Sequence, residues 1–398
     1  MQLFAMLVSS SLPLPASVLL FAAACVGHLC LVLASHNRWY GSSLSKQVVH
    51  AIQALHALVL FAGPIALIGL VGLELAGLFD EPHRLWKAGL LAYLFACWSA
   101  TLVGLPLATI RRLARKQPAA LLSNHTRTVD VAGQLGYLPM GRGFWRHLTR
   151  LPGNDVFRVD FTQKRLGLAR LPAAWDGLTI LHLSDLHLNG TPDRRFFEHV
   201  MDECRAWNPD LVALSGDIVD DPEHHRWIVP VLGRLKWRIA AFAILGNHDS
   251  WYDVSLIRRR VRRCGMHLLG NSWTRIDVLG KPLVVIGNET PWFTPGPDLS
   301  DCPDGPFRLC LSHTPDNIAW ARARGIDLML SGHVHGGQVR LPLVGSLVVP
   351  SRYGRKYDCG TFDEPPTVLH VSRGLSGQEP LRINCRPEVT KLVLEPSR

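Results

Sequence analysis

Apolar and polar positions divide the chain into two regimes. Up to residue 110 the pattern is dominated by three long runs without a charged side chain: Leu12–Ala34, Ala51–Leu73, which carries Gln53 and His56 near its start, and Ala88–Ile110. At 1.5 Å of rise per residue each is long enough to cross a hydrocarbon core of about 30 Å, so three membrane-spanning helices are expected, with two as the alternative. A cleaved signal peptide does not suit the first run, since no basic residue precedes it and two further runs follow. From residue 177 the runs shorten. Thr179–Ser184, Leu211–Leu214, Ala240–Leu245, Arg308–Ser312 and Leu328–Ser331 read as strands, and the amphipathic patterns near 193–206, 224–235, 255–264 and 315–324 read as helices between them. That alternation predicts an α/β domain. After residue 337 the pattern turns β-rich, with Thr367–Ser372 and Thr390–Leu394 as further strands.

Composition sharpens the first regime. A mean hydropathy of +0.13 with only 19% charged residues is too apolar for a simple soluble enzyme, and the excess lies in the three runs. Lys and Arg near the runs fall mainly on one side. Arg38 and Lys46 lie between the first two, and Arg111, Arg112, Arg115 and Lys116 follow the third, against Arg84 and Lys87 on the other side. The positive-inside rule then describes a multi-pass protein of the cell (inner) membrane, with its amino terminus outside and its α/β domain in the cytoplasm. The nine cysteines form no CxxC pair and no regular framework, which agrees with a reducing compartment and makes them poor candidate metal ligands.

Charge is unevenly spread. Residues 111–170 hold twelve Lys/Arg against Asp130, Asp155 and Asp160, whereas residues 171–398 carry 26 of each sign. Nucleic-acid binding would put the basic excess on the α/β domain itself, so no nucleic-acid partner is expected. A basic stretch directly after an apolar run suits anionic headgroups, so membrane lipids are expected partners. Within it, Phe144–Arg150 mixes aromatic and basic residues, as either a membrane-surface segment or an ordinary packing element does. The expected organisation is an apolar anchor over 1–110, a basic juxtamembrane connector over 111–176 and the α/β domain over 177–398.

Every one of the five strands named first ends in a polar cluster. These are Asp185-Leu186-His187, Gly216-Asp217-Ile218-Val219-Asp220, Gly246-Asn247-His248-Asp249, His313, and Gly332-His333-Val334-His335-Gly336-Gly337. Open α/β sheets place their sites beyond the carboxyl ends of strands, so the clusters are expected to converge. Carboxylates, imidazoles and an amide carbonyl suit borderline divalent ions such as manganese, iron or zinc. Seven such groups are too many for one ion, and two ions about 3.5–4 Å apart need a shared carboxylate. A lone histidine in this set would read as a satisfied core residue. Five clusters in this order do not.

The series D-x-H, G-D-x-x-D, G-N-H-D, H and G-H-x-H resembles the signature of calcineurin-like metallophosphoesterases, and the likeness covers about residues 177–398. Val371-Ser372-Arg373-Gly374-Leu375 and Arg386-Pro387-Glu388-Val389 are similar to the bacterial transmembrane branch of that family. The resemblance implies a four-layer domain of two β-sheets flanked by helices. It implies one metal held by Asp185, His187, Asp217 and His335, and another held by Asp217, Asn247, His313 and His333, with Asp217 bridging. His248 would face the substrate as a catalytic acid, oriented by Asp220; a helix cap is the alternative reading of Asp220. Two cations would lower the pKa of a water between them and draw charge from the phosphoryl oxygens.

The remaining features are less specific. Arg258, Arg259, Arg260, Arg262 and Arg263 form a basic helix that is either solvated or a site for a second substrate phosphate. Trp292 and Phe293 form an apolar rim or merely pack, His224 and His225 are expected on the surface, and Asp249 is not a ligand. The sequence therefore favours a two-metal hydrolase of a phosphodiester or phosphoanhydride on a lipid-linked substrate. Part of this branch resembles UDP-2,3-diacylglucosamine hydrolases of lipid A synthesis, which makes that compound the first candidate. A broad-specificity phosphodiesterase is the enzymatic alternative. The non-enzymatic alternative is a membrane sensor or scaffold, which would be betrayed by a missing ligand; none is missing.

Overall fold

The computed structural model describes residues 14–71 and 85–397. Residues 12–13 and 72–73 of the expected spans, and Arg84, lie outside the described residues. The chain divides into two compact units, the first ending at Arg115 but including Pro342–Gly345, the second formed by Lys116–Leu341 and Ser346–Arg398.

The first unit is helical: α1 (Leu14–Tyr40), α2 (Lys46–Val71) and α3 (Leu85–Ser99), the last continuing through a π-helical turn at Ala100–Gly104 into α4 (Leu105–Leu113). Three helices, Pro15–Tyr40, Lys46–Leu70 and Trp86–Leu113, are long and apolar enough to cross a membrane. Large apolar side chains such as Leu19, Phe61, Ile65 and Phe95 point outward, as a face meeting hydrocarbon requires. Polar groups are turned inward. His28 on α1 bonds Tyr93 on α3 through Nδ1 and the Val59 carbonyl on α2 through Nε2. Gly63 leaves room for the imidazole, since a Cβ there would lie 2.4 Å from its Cε1.

The second unit is a β-sandwich with helices outside it. Its first sheet has seven strands in the order β1 (Leu121–Asp130), β2 (Arg158–Leu168), β15 (Glu388–Pro396), β3 (Thr179–Leu183), β4 (Leu211–Ser215), β5 (Ala240–Ile244) and β6 (His267–Leu268). The second has six, in the order β13 (Gly360–Glu364), β14 (Thr367–Val371), β10 (Leu328–Ser331), β9 (Phe307–Ser312), β8 (Lys281–Asn288) and β7 (Trp273–Val278). A small ribbon pairs β11 (Arg340–Leu341) with β12 (Gly345–Ser346). The strands β3 to β6 run parallel, as do β8, β9, β10 and β14.

Alternation along the strands sorts side chains into three cores. Ile180, Ala213 and Phe242 of the first sheet meet Val285, Leu309 and Leu330 of the second between the sheets. Leu181, Val212 and Ala243 point the other way, towards α6 (Arg194–Ala206), α7 (Ile228–Leu232) and α8 (Val254–Arg263). Ile286, Cys310 and Met329 pack outside the second sheet with Ile318 and Ala321 of α9 (Ile318–Ala323), here numbered after the short α5 (Val131–Leu135). Strands buried on both faces read as continuous apolar runs, which is why the sequence located them well. The result is the expected α/β architecture of two sheets flanked by helices.

The boundary expected at residue 177 is corrected. Residues 111–176 are not merely a connector, because β1 and β2 lie within them and extend the first sheet beyond β15. Asp363 also ties the start of β1 to β13, accepting from the Ala119 and Ala120 amides.

Candidate metal centre

The five clusters converge at the carboxyl ends of β3, β4, β5, β9 and β10. Asp185, His187, Asp217 and His335 form one buried group, and Asp217, His313 and His333 form a second, so Asp217 belongs to both. His187 Nε2 lies 3.5 Å from Asp217 Oδ2 and 3.2 Å from His335 Nε2. His335 Nε2 is 3.7 Å from Asp185 Oδ1. On the other side His313 Nε2 is 3.1 Å from Asp217 Oδ2 and 3.0 Å from the Asn247 side-chain oxygen. All seven sequence-derived candidates are thus brought together.

The backbone is bent to achieve this. Asp185, His187, Asp217, His333 and His335 all have positive φ, between 42° and 69°, a region that non-glycine residues rarely occupy and that concentrates at functional sites. Glycines allow the loops to close up. A Cβ on Gly246 would lie 2.2 Å from Asp217 Oδ1, and one on Gly332 would lie 2.3 Å from Asp185 Oδ2. Asp249 braces two of the loops, accepting from the Ile218 and Val219 amides at Oδ1 and the Gly246 amide at Oδ2. These three bonds give it a structural role.

The donor set fits divalent ions. Asp185 and Asp217 are fully buried carboxylates facing four imidazoles. His333 Nε2 is buried without a hydrogen-bond partner, the usual mark of an atom meant for something else. His313 and His335 direct Nδ1 at the carbonyls of Ser215 (2.7 Å) and Ser376 (3.0 Å), a pattern that fixes the tautomer and leaves Nε2 for a metal. Burial, reinforced by neighbouring imidazoles, pushes His333 and His335 well below the usual histidine range, so both present the neutral, ligating form. His313 is pushed up to about 9: burial opposes this, but Asp217 outweighs it. The carboxylates demand positive charge at that position.

His248 stands beside the cluster. Its Nδ1 lies 2.6 Å from Asp220 Oδ1, and its amide donates to Asp217 Oδ1 at 2.9 Å. Burial disfavours its charged form, but Asp220 and Asp217 prevail and raise its pKa to about 9. Asp220 also lies 3.4 Å from His187 Nδ1, and its backbone carbonyl accepts from Tyr252 Oη at 2.7 Å. The carboxyl therefore serves the imidazole rather than a helix cap. Trp251 covers His248, with ring centroids 4.2 Å apart. Trp292 stands 4.9 Å from His333 and 5.5 Å from His313, so of the two rim candidates it borders the cluster. Phe293 instead lies under Arg258.

The arginine-rich helix α8 is turned differently from its sharper sequence reading. Arg258 bonds Glu289 at 2.5 Å, and Glu289 accepts from the Leu245 amide at the end of β5. Arg259, Arg262 and Arg263 are exposed. His224 and His225, expected on the surface, are both half-buried, His224 against Trp227 and Asp221.

Arg382 belongs to no motif and escaped sequence reasoning. It is fully buried, and its guanidinium donates to the carbonyls of His335 (3.0 Å), Arg373 (2.7 Å) and Ser376. It thereby anchors both the backbone that carries His335 and the carbonyl that orients its ring. Only its spacing from the last motif, which no rule predicts, would have revealed it.

The profile of the family described as calcineurin-like phosphoesterase matches residues 178–337. The chain is 28% identical over 264 residues to the uncharacterized metallophosphoesterase YkuE of Bacillus subtilis (strain 168), covering 64% of this chain and 90% of that protein. It is 32% identical over 226 residues to the phosphodiesterase YaeI of Escherichia coli (strain K12), covering 54% of this chain and 81% of that protein. It is 28% identical over 254 residues to a Danio rerio protein named transmembrane protein with metallophosphoesterase domain, covering 57% of this chain and 55% of that protein.

Two outcomes are expected from this geometry. Elemental analysis of the purified protein should find about two divalent ions per chain, and Asp217→Ala should lose both, because both groups share that carboxylate. A full complement in the variant would refute the assignment. Arg382→Met should weaken metal binding by about 10–100-fold in a chelator competition, with partial recovery in Arg382→Lys. A variant with altered thermal stability but unchanged metal affinity would reduce Arg382 to a packing residue.

Proposed function

The chain belongs to the calcineurin-like phosphoesterase family of metal-dependent phosphoester hydrolases, and on that premise we propose that it cleaves a phosphodiester or phosphoanhydride of a lipid-linked substrate at a membrane. The observation that carries the hydrolytic part is the pair of ligand groups sharing Asp217 beside the His248–Asp220 pair. Two divalent ions, of manganese, iron or zinc type, would be held by Asp185, His187, Asp217 and His335 and by Asp217, Asn247, His313 and His333. When bound they supply Lewis acidity to the phosphoryl oxygens and to the attacking water.

The rest of the chemistry belongs to the chain's own side chains. Asp220 holds Nδ1 of His248, which favours the imidazolium and aims Nε2 away from the carboxylate. From there His248 stabilises charge on the phosphoryl group and gives its proton to the leaving oxygen. Tyr252 fixes the backbone of Asp220, and Trp251 shields the imidazole from water.

The membrane part of the reading is supported by the three apolar helices, by the excess of Lys and Arg over residues 111–170, and by a relative whose name records a transmembrane protein. We place the protein in the cell (inner) membrane with its second unit in the cytoplasm, on the charge bias around the apolar runs. UDP-2,3-diacylglucosamine is the first candidate substrate. A broad-specificity phosphodiesterase is the second reading, favoured by the name of the Escherichia coli relative.

His248→Gln should retain its metals while turnover falls by about 10²–10⁴-fold on substrates with poor leaving groups. The loss should be smaller when a nitrophenolate leaves, since that group needs no proton. Equal losses would remove His248 from the acid role. In mixed micelles the diacylated nucleotide sugar should be hydrolysed faster than its deacylated counterpart, because each acyl methylene left in an apolar phase contributes about 0.8 kcal/mol. Faster turnover of the soluble compound, or of cyclic nucleotides, would select the broad phosphodiesterase.

A further inference from the structure

Residues 131–157 connect β1 to β2, and the stretch 131–153 within them contains no Asp or Glu but carries Arg142, Arg146 and Arg150. All three arginines are exposed, and none makes an ion pair among the described residues. The large side chains Tyr137, Leu138, Trp145 and Leu151 are exposed in the same segment. A soluble surface normally scatters such side chains and mixes the signs of its charges. Within the segment, exposed aromatic and aliphatic groups are set among arginines with no acid between them, Asp193 outside it accepting from Tyr137 Oη at 2.9 Å; such a segment matches an anionic lipid surface. There the rings enter the headgroup boundary while the guanidinium groups meet phosphates.

The segment is also fixed to both rims of the metal centre. The Arg142 amide donates to the Gly190 carbonyl, and the Gly143 amide to Thr191 Oγ1. Both partners follow His187 within a few residues. At its far end, the Asn154 side chain donates to the Leu148 and Pro380 carbonyls, each at 2.8 Å, and the Asp155 amide donates to the Arg382 carbonyl. Asn189 closes the circuit by donating to the carbonyls of Gly377 and Gln378. Whatever the segment touches is therefore held next to the loop that follows His187 and the loop that contains Arg382.

We propose that residues 131–153 form a docking surface for anionic phospholipid headgroups, which holds the metal centre against the bilayer that carries its substrate. The inference rests on the membrane reading above and deepens it. Residues 114–120 alone separate α4 from β1, and a chain of that length reaches at most about 25 Å when fully extended. If α4 completes a membrane span, so short a tether keeps the second unit within reach of the headgroups without needing an additional partner.

The test is hydrogen–deuterium exchange on the full chain in nanodiscs of phosphatidylcholine alone, and of phosphatidylcholine with an equal part of phosphatidylglycerol. Peptides covering 137–151 should exchange at least about tenfold more slowly in the anionic discs, since each of the three arginines near such a surface contributes about a fivefold preference. The double variant Arg146→Glu/Arg150→Glu should lose this protection, while peptides from β3 and β4 remain as protected as before, showing that the fold is intact. No difference between the discs, equal protection in both, or protection only in native membranes that supply a protein partner would each overturn the proposal. Turnover of bis-nitrophenyl phosphate by the unmodified chain in the same discs keeps the two readings apart. Turnover without lipid-dependent protection refutes docking alone, and protection without turnover refutes the hydrolase reading alone.

Discussion

Two carboxylates taken wholly out of water set the terms for the second unit. Asp185 and Asp217 end neighbouring parallel strands with essentially no exposure, and buried ionised carboxylates are strongly unfavourable unless positive charge or donors meet them. The histidines, the positive-φ turns and the glycines that let loops touch all serve that requirement. So do residues further back. Asp249 ties the β4 and β5 loops through three amides, and Arg382 pins the loop of His335 with a guanidinium that donates to three carbonyls and also approaches the His335 ring. A buried arginine without a carboxylate partner is costly in isolation. Next to a cluster whose neutral imidazoles must hold one orientation, it becomes intelligible.

Much of this was legible in the sequence because it is local. Each candidate ligand lies within a few residues of an apolar strand, and a strand buried on both faces is hard to mistake. The helices at 194–206 and 254–263 were equally plain, since each has one apolar stripe and an Asp cap, Asp193 and Asp253. What stayed hidden depends on residues far apart in the chain. β2 buries Asp160, Thr162 and Lys164, so it does not read as an apolar strand. Those polar groups are tolerable only because Lys164 meets Glu388 at 3.0 Å and Arg373 bridges Glu388 and Asp160. Partners more than two hundred positions away leave no periodic trace. β1 is still less visible, because it is an edge strand with most of its side chains exposed.

The arginine-rich helix offers the complementary lesson. Five arginines in six positions suggest a site for phosphate, yet Arg258 is committed to Glu289 and to the ring of Phe293. The acid-free stretch over 131–153 is a thinner signal in sequence, with three arginines over a longer span. It becomes the more distinctive surface once its exposed rings and its ties to the rims of the cluster are seen together. Charge density along the chain was therefore a poor guide to where charge is free to act.

The position of β15 has a consequence for how the protein is made. The strand lies between β2 and β3 in the first sheet, parallel to one and antiparallel to the other. A ribosome emits the chain from its amino end, so the apolar helices, β2, β3 and all the candidate ligands emerge before the strand that joins the sheet's two halves. Until residues 388–396 leave the exit tunnel, β2 and β3 present open edges to the surrounding protein. The nascent domain must be held in that incomplete state during translation, after the apolar helices have already emerged. Tethering at a membrane surface during that interval would keep two such unfinished domains from diffusing freely into one another.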